Sequence, residues 1–507
     1  MAAAVSNPLP EPEQIAELKR ELHWAHLKIE LLEERLRLER IKKYGPASEK
    51  LSAQQLELLD LEPGVSSDEV QAESEREPLA DSPATPRKRR PHPGRQQLPA
   101  DLPRVERIVA CPPGECVCPA CGAEREVIGY DQSEQLDLEP ARYFVRLTKR
   151  EKRACRCGQG GVSAAPLPAR IIDKGLASDR VVIDTLVAKY CDHLPLYRQS
   201  AILERETGVE ISRATLDGWV MRVGELLIPL VGAMRGELLR GHYIQADETP
   251  VEVQMHDGRG KNHQAYLWQY GQVGGGVVFD FRLGRGRDGP KQFLGQFEGL
   301  LQTDAYIAYE QVGGPKLVHA GCWAHARRGF VDALKLNPRD GQAKGVVKLM
   351  DELFGIDARA REQGLDLAAR DALRREQAPA LLERIRKQVE AARGAALPSS
   401  ALGKAARYTL ALWPRLRRFL EYPELELSNN LAENSMRPVA LGRKNWLHVG
   451  SAQAGPKVAA ILSVVESCRR MKLPLREYLA AVLPGLADTS VQRLPELTPA
   501  AWARRIP

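Results

Sequence analysis

No apolar run in this 507-residue sequence approaches the roughly 20 residues that a membrane-spanning helix requires. The first residues, MAAAVSNPLPEPEQ, also lack the basic start and the apolar core of a secretory signal. We therefore expect a protein that has no membrane partner and stays in the reducing cytoplasm. In that compartment the nine cysteines are expected to be metal ligands or buried thiols rather than disulfides.

An excess of acidic residues is missing as well. The net charge is +7, and 43% of the residues are hydrophobic, which is enough for substantial cores. The length predicts about three or four domains. The positive balance favours a polyanionic partner such as nucleic acid, although many soluble proteins share it.

Apolar residues follow a heptad pattern near the N-terminus. The two core positions are occupied by Ile15, Leu22, Ile29 and Leu36, and by Leu18, Ala25 and Leu32. This pattern predicts a coiled-coil dimerisation region within residues 11–60; packing of the helix on its own chain is the alternative. Residues 61–104 are rich in Pro, Ser and Glu and then turn basic at PRKRRPHPGR, which predicts a disordered basic linker.

Two close cysteine pairs lie between residues 105 and 165. They are Cys118 and Cys121 in CVCPACG, and Cys155 and Cys157 in RACRCGQGG. The intervening segment is β-like, so the pattern predicts a zinc-ribbon-like domain in which four thiolates hold one structural Zn²⁺. Because the second pair is one residue tighter than the usual CxxC, Cys111 and Cys116 stay open as alternative ligands. A redox CxxC is disfavoured, since no thioredoxin-like βαβ pattern surrounds it.

Residues 170–235 carry helical patterns. QSAILERE, the turn TGVEIS and RATLDGWVMRVG together have the form of a helix-turn-helix. Gly208 is expected to end the first helix and Ser212 to cap the second. Arg213 and Thr215 would then begin a recognition helix that enters a major groove. Helical hairpins are also common as plain structure, so DNA contact here is a hypothesis.

Strand patterns replace helical ones from residue 236. HYIQADETPVEVQ, QAYLWQYGQ and GGVVFDFRLGR predict an antiparallel meander, and helices then alternate with two further strands. This order is typical of a ribonuclease-H-like α/β fold, predicted over residues 236–334 and completed over residues 428–465. Residues 335–427 read as a helical insertion, and residues 466–507 as a C-terminal helical extension.

Three acidic residues stand where a metal-dependent site for phosphodiester chemistry would need them. Asp247 and Asp304 each close an apolar, β-like run, and the predicted fold sets them on neighbouring strands. Glu433 follows the insertion on a helix-like stretch, from which Arg437 and Lys444 would approach phosphates. Carboxylates suit Mg²⁺, and two such ions clamp the attacking and leaving oxygens. With 66 acidic residues in the chain, turn and helix-cap roles are the competing interpretation.

The motifs KKYGPASEKL, ADETP, TDAYIAY, HAGCWAHARRGF and NNLAENSMRPVALGRKNW, with the paired cysteines, resemble the transposases of the insertion sequence 66 family. The resemblance implies that Asp247, Asp304 and Glu433 are a DDE triad that binds two Mg²⁺ or Mn²⁺ ions per active site. The tight CxC pair departs from the family's common spacing, which puts the zinc ligand set in doubt.

A CxxH pair, Cys322 and His325, precedes two arginines in the same motif. Two ligands are too few for a closed metal site. The resemblance makes the pair a supporting motif close to the triad, with Arg327 and Arg328 facing DNA. A buried cysteine beside a hydrogen-bonded histidine is the competing interpretation.

The resemblance further implies a bacterial, nucleoid-associated transposase. It would bind the terminal inverted repeats of its element, cut there, and transfer the 3′-hydroxyl into double-stranded target DNA. A homodimer or higher oligomer would hold both ends, and small accessory proteins of the same element are implied partners. Two alternatives stay open: a nuclease of the same fold without strand transfer, and a zinc-dependent DNA-binding protein without catalysis. Metal-dependent cleavage separates the non-catalytic protein from both enzymes. Strand joining separates the transposase from the nuclease.

Overall fold

The structure, a computed structural model, describes residues 12–44, 120, 123, 143–154, 162–255, 258 and 260–505. Residues 83–151 form a unit of their own, in which the described residues 143–151 are neither helix nor strand. All elements below belong to the other unit. Within the described ranges, no helix is long and apolar enough to cross a membrane.

Helix α1, Pro12–Tyr44, confirms the predicted N-terminal helix. Its heptad side chains Leu18, Leu22, Ile29, Leu32 and Leu36 are each more than half exposed. Near its end, the Glu34 carboxylate accepts a hydrogen bond from the Ala401 backbone at 3.2 Å. Self-association through the exposed heptads stays a prediction, and residues 45–60 of the predicted region lie outside the described residues.

A two-stranded antiparallel sheet pairs β1, Lys152–Ala154, with β2, Val162–Ala164. Along the chain, the predicted CxC pair falls between these two strands. All the predicted zinc ligands and the two spare candidates lie outside the described residues: Cys111, Cys116, Cys118, Cys121, Cys155 and Cys157. The same holds for the predicted linker, residues 61–104.

Three helices follow: α2 Asp179–Tyr190, α3 Leu196–Thr207 and α4 Arg213–Leu238. Gly208 ends α3 in a left-handed conformation (φ 70°), which glycine adopts without steric penalty. Ser212 caps α4 by accepting the Thr215 N–H at 3.2 Å. Both terminal residues are therefore confirmed. At 26 residues, α4 is longer than the predicted recognition helix, because its apolar side continues into the protein core.

A five-stranded mixed sheet follows these helices. Its strands are β3 Tyr243–Val253, β4 His263–Gly271, β5 Val277–Arg282, β6 Leu300–Gln302 and β7 Val318–Ala320. Their order is β5-β4-β3-β6-β7, antiparallel from β5 to β3 and parallel from β3 to β7. Helix α5, Asp288–Leu294, lies between β5 and β6 in the chain. The predicted three-stranded meander is confirmed.

Helices occupy most of the chain between β7 and residue 420. They are α6 Trp323–Leu336, α7 Gly341–Glu362, α8 Leu367–Ala395, α9 Ala401–Ala411 and α10 Trp413–Leu416. Asp340, Asp366 and Ser400 cap α7, α8 and α9 by accepting backbone N–H groups of their first turns. These helices bury a second core of their own. Residues 335–427 are thus largely helical, as predicted, although the first helix of this core begins earlier, at Trp323.

The chain returns to the sheet with α11, Asn430–Trp446, and α12, Ala454–Arg470. Hydroxyls on α12 finish the outer edge of β5: Ser467 accepts the Val277 N–H at 2.9 Å, and Ser463 accepts the Phe279 N–H at 2.8 Å. This pairing removes open donors from the edge strand. Two short helices, α13 Leu475–Val482 and α14 Pro499–Ala503, complete the predicted C-terminal extension.

Candidate active site

The parallel register of β3 and β6 brings two predicted acids side by side. The ladder ends where Gln245 pairs with Gln302, and Asp247 and Asp304 each follow two residues later. Asp304 lies just beyond its strand, as expected. Asp247 does not end its strand, because β3 continues to Val253 through its pairing with β4. The break in the parallel ladder, rather than a strand end, opens the space around Asp247.

The two glutamines below the acids tie the third segment to the sheet. Gln245 Nε2 donates to the Ser428 carbonyl at 3.0 Å, and Gln302 Nε2 donates to the Glu426 carbonyl at 2.7 Å. Gln302 Oε1 also accepts from Tyr243 Oη at 2.5 Å. All three side chains are buried, so the bonds fix the segment just before α11. Sequence reasoning missed these residues; the signal was a glutamine two positions before each acid, in QAD and QTD.

Asp304 sits in a tight turn. Its Oδ1 accepts the Tyr306 N–H at 2.8 Å, and Ala305 between them has φ 66°, a conformation that side chains rarely adopt. Helix α9 supports the turn, because Tyr408 Oη donates to the Asp304 carbonyl at 2.6 Å. Non-glycine residues held in such conformations cluster at functional sites. The helical region therefore contacts the backbone of this acid directly.

Glu433 lies in the first turn of α11 and meets cations from α6. Arg328 Nη2 donates to Glu433 Oε2 at 3.0 Å, and His325 Nε2 lies 3.6 Å from Oε1. The two helix starts adjoin: Cys322, the N-cap of α6, accepts the Asn429 N–H on its Sγ at 3.5 Å. Cys322 is fully buried. The CxxH pair thus forms part of the wall behind Glu433.

Electrostatics join the three acids into one cluster. Burial, and then the charges of Glu433, Glu248 and Asp304, raise the pKa of Asp247 well above its usual value. Burial also opposes the Glu433 carboxylate, but His325 and Arg328 outweigh it and lower the pKa of Glu433. Asp247 and Asp304 are 57 residues apart in the chain, and Asp304 and Glu433 are 129 apart. The fold therefore brings all three within electrostatic reach of one another.

His325 carries the positive charge of this wall. Burial disfavours the imidazolium, but interactions with Cys322 and Glu433 outweigh it and raise the pKa of His325 to about 10. A histidine that stays protonated at neutral pH acts as a fixed cation rather than as a general base.

The donor set suits a divalent cation, although its members do not yet form a cage. In the described part of the chain, no three His, Cys, Asp or Glu side chains are already gathered as metal ligands. Glu433 Oε2 is bound by Arg328 instead. Its Oε1 is buried, and no described group donates a hydrogen bond to it. An unbonded carboxylate oxygen beside two further hard oxygen ligands is the chemistry that Mg²⁺ and Mn²⁺ favour.

Other predicted site residues fall in different places. Arg327, expected to face DNA, is instead buried and donates to Asp351 on α7 at 2.7 Å. Arg437 lies near enough to Glu433 to help lower its pKa. Lys444 is exposed near the end of the same helix.

Arg213 and Thr215 are exposed on the first turn of α4. The Thr215 hydroxyl lies 3.0 Å from the Ser212 hydroxyl, so the cap holds this side chain as well. These two residues are remote in sequence from the three acids, and their contact with DNA stays a prediction.

Comparison with known families decides the class of protein. Residues 174–457 match the profile of the transposase IS66 family. The chain belongs to the IS66 transposase family. Two more profiles match: residues 115–158 match the zinc-finger binding domain of transposase IS66, and residues 31–107 match transposase C of IS166 homeodomain. The resemblance inferred from the motifs is confirmed, and the zinc-finger match supports a zinc-binding domain. That match includes Cys116 but leaves out Cys111.

Relatives from Sinorhizobium fredii (strain NBRC 101917 / NGR234) match most of the chain. Uncharacterized protein y4qI is 34% identical, over 85% of this chain and 79% of its own length. Uncharacterized protein y4jD is 32% identical, over 80% and 81%. Uncharacterized protein y4hP is 30% identical, over 94% and 88%. The similarity therefore extends over nearly the whole IS66 transposase chain.

Proposed function

We propose that this IS66 transposase is a DDE-type enzyme that cuts DNA at the ends of its element and transfers the freed 3′-hydroxyl into target DNA. One observation carries the proposal. Asp247, Asp304 and Glu433 come from three separate segments and form one electrostatically coupled cluster, in which a buried carboxylate oxygen has no described donor. Acids whose pKa values are strongly shifted by burial and by specific charged neighbours are candidates for functional sites.

The residues would divide the work by position. The three carboxylates would hold two Mg²⁺ or Mn²⁺ ions, which supply charge neutralisation and nucleophile activation when bound. Strand β3 and the Asp304 turn keep two of the acids rigid, and the buried glutamines fix the start of α11. His325 adds a protonated imidazole at the edge of the site, where negative charge builds up during phosphodiester cleavage. Catalysis would rest on positioning and electrostatics, without a covalent enzyme intermediate.

The remaining modules would recognise and pair the element ends. We assign the core to the ribonuclease-H-like class, because an antiparallel meander continues into parallel strands that carry two acids. Arg213, Thr215, Arg437 and Lys444 would contact DNA, and α1 would pair two or more protomers. One zinc ion, held by Cys118, Cys121, Cys155 and Cys157, would stabilise the end-binding domain. Accessory proteins of the same element would join the assembly.

The test uses DNA carrying the inverted repeats that flank the gene. Asp247→Ala, Asp304→Ala and Glu433→Ala should each abolish Mg²⁺-dependent nicking and joining while end binding is retained. Glu424→Ala, a nearby acid outside the cluster, is the matched control and should keep both activities. Cleavage without joining would favour the nuclease alternative. End binding without either reaction in the wild type would favour a non-catalytic DNA-binding protein.

A further inference from the structure

Two cations on one face of α6 hold Glu433. His325 and Arg328 are three residues apart, so they lie one turn apart on the helix and reach the same carboxylate. His325 faces Oε1, and Arg328 binds Oε2. The Glu433 carboxylate therefore has positive charge at both oxygens before any metal is considered.

The neighbouring arginines of α6 differ in how firmly they are held. Arg327 donates to both Asp351 oxygens and its side chain is only 6% exposed, so it is fixed. The Arg328 side chain is 42% exposed and reaches Glu433 from the solvent side. Exposed side chains change rotamer within nanoseconds. Arg328 is therefore the more solvent-accessible of the two arginines and the one that pairs with Glu433.

Arg328 and a divalent cation would compete for the negative charge of Glu433, even though Arg328 binds only Oε2. Mg²⁺ binds carboxylate oxygens at about 2.0–2.1 Å and requires a lone pair pointed at the ion. Arg328 uses a lone pair of Oε2 at 3.0 Å. A cation bound to the same carboxylate would stand within roughly 5 Å of the guanidinium, where like charges repel strongly in a partly buried site. The two cannot share the carboxylate without loss.

We propose that Arg328 is the counter-ion of Glu433 in the metal-free protein, and that a divalent cation competes with it and displaces its guanidinium toward the DNA phosphates. This inference rests on the proposed role of Glu433 as a metal ligand. The bound arginine lowers metal affinity while no DNA is present. A DNA phosphate that takes up the guanidinium raises metal affinity, and by linkage the metal strengthens DNA binding by the same factor.

Mn²⁺ affinity of the DNA-free, full-length protein tests the competition, by calorimetry and by electron paramagnetic resonance. Arg328→Gln should tighten Mn²⁺ binding by about three- to tenfold, because the competing cation is gone. Arg328→Lys keeps the charge and should stay within about twofold of wild type. Arg375→Gln removes an equally long arginine from the surface of α8 and should change nothing. Melting temperatures confirm that each variant is folded.

DNA provides a second readout with the opposite dependence. A short duplex of arbitrary sequence should tighten Mn²⁺ binding to the wild type, and the gap between wild type and Arg328→Gln should shrink. Unchanged or weaker Mn²⁺ binding by Arg328→Gln would overturn the competition. Glu433→Gln separates this failure from a wrong function: it should lose Mn²⁺ binding. If it binds Mn²⁺ normally, Glu433 is not a ligand and the proposed triad fails.

Discussion

Glu426 and Glu433 are seven residues apart and neighbouring cations lower the pKa of both, yet their carboxylates differ in how fully they are hydrogen-bonded. Arg361 and Arg370 both donate to the Glu426 carboxylate. Burial opposes its charge, but these arginines and Arg374 outweigh that effect and lower the pKa of Glu426. Glu433 instead shares its surroundings with two other acids, and one of its oxygens has no donor among the described groups.

The hydrogen bonding of the two carboxylates separates an acid with a structural role from the proposed catalytic one. Three arginines neutralise Glu426, and one of them, Arg374, also pairs with Asp357 through bonds of 2.7 and 2.5 Å with both side chains 1% exposed. This network fastens α7 and α8 to the segment before α11. Around Glu433 two further acids lie within electrostatic reach, and its Oε1 accepts no hydrogen bond from the described groups. Glu426 can therefore be set aside as an alternative third acid, although it is acidic, buried and close in sequence.

The ion pairs around Glu426 should give the largest effect on stability. Glu426→Gln leaves Arg361 and Arg370 largely buried without their counter-ion. Removing one side of a buried pair destabilises by about 3–5 kcal/mol, so the free energy of unfolding in urea should fall by that amount. Glu352→Gln, which breaks an exposed pair with Arg384, should cost less than about 0.5 kcal/mol. Equal losses from the two changes would show that the ion pairs of Glu426 stabilise the fold no more than an exposed ion pair does.

The hydrogen bonds of the buried Gln302 side chain should give the next largest effect on stability. Gln302→Leu removes the amide that donates to the carbonyls of Gly321 and Glu426, and it removes the acceptor of the Tyr243 O–H. Unsatisfied buried groups of this kind should lower the free energy of unfolding by about 2–3 kcal/mol. Strand cleavage should fall too, since α11 loses its anchor. Gln296→Leu, at an exposed position, is the control and should leave both quantities unchanged.

The sequence was informative where the physics is local. Alternating apolar runs predicted the meander, Gly208 and Ser212 predicted helix ends, and apolar runs ending near Asp247 and Asp304 placed two acids on neighbouring strands. Each of these rests on periodicity or on residues within one turn. The family motif added Glu433, which no local pattern would have selected from the 66 acidic residues of the chain.

What could not be predicted depends on partners far along the chain. Arg327 and Arg328 are identical in sequence terms, and only the position of Asp351 on the next helix makes one structural. The arginines that neutralise Glu426 lie 56 and 65 residues before it. The parallel register of β3 and β6 pairs the two QxD glutamines, Gln245 and Gln302, which are 57 residues apart in the chain. Spacing along the chain does not encode such pairings.

Removing the hydrogen bond between α9 and the Asp304 turn should have a smaller effect on stability. Tyr408→Phe removes the hydroxyl that donates to the Asp304 carbonyl and keeps the ring. One part-buried hydrogen bond contributes about 1 kcal/mol, so the free energy of unfolding should fall by about that much. Cleavage should slow by several-fold through poorer placement of Asp304. If cleavage is unchanged, the helical region does not position this acid.

The smallest stability change should have the opposite sign and is therefore the sharpest contrast with Glu426. Asp247→Asn keeps the shape and the acceptor for the Glu248 N–H at 2.9 Å, but removes a charge that Glu433 and Asp304 repel. In metal-free buffer at neutral pH, the free energy of unfolding should rise by about 0.5–1 kcal/mol while cleavage is lost.

Because the pKa of Asp247 is raised in the folded state, the folded protein binds the extra proton, so wild-type stability falls as pH rises above the ordinary aspartate range. The gain of the Asn variant should accordingly disappear near pH 4. Urea unfolding of both proteins at acid and neutral pH measures this, and a variant less stable than wild type at pH 7 would show that Asp247 is compensated like Glu426.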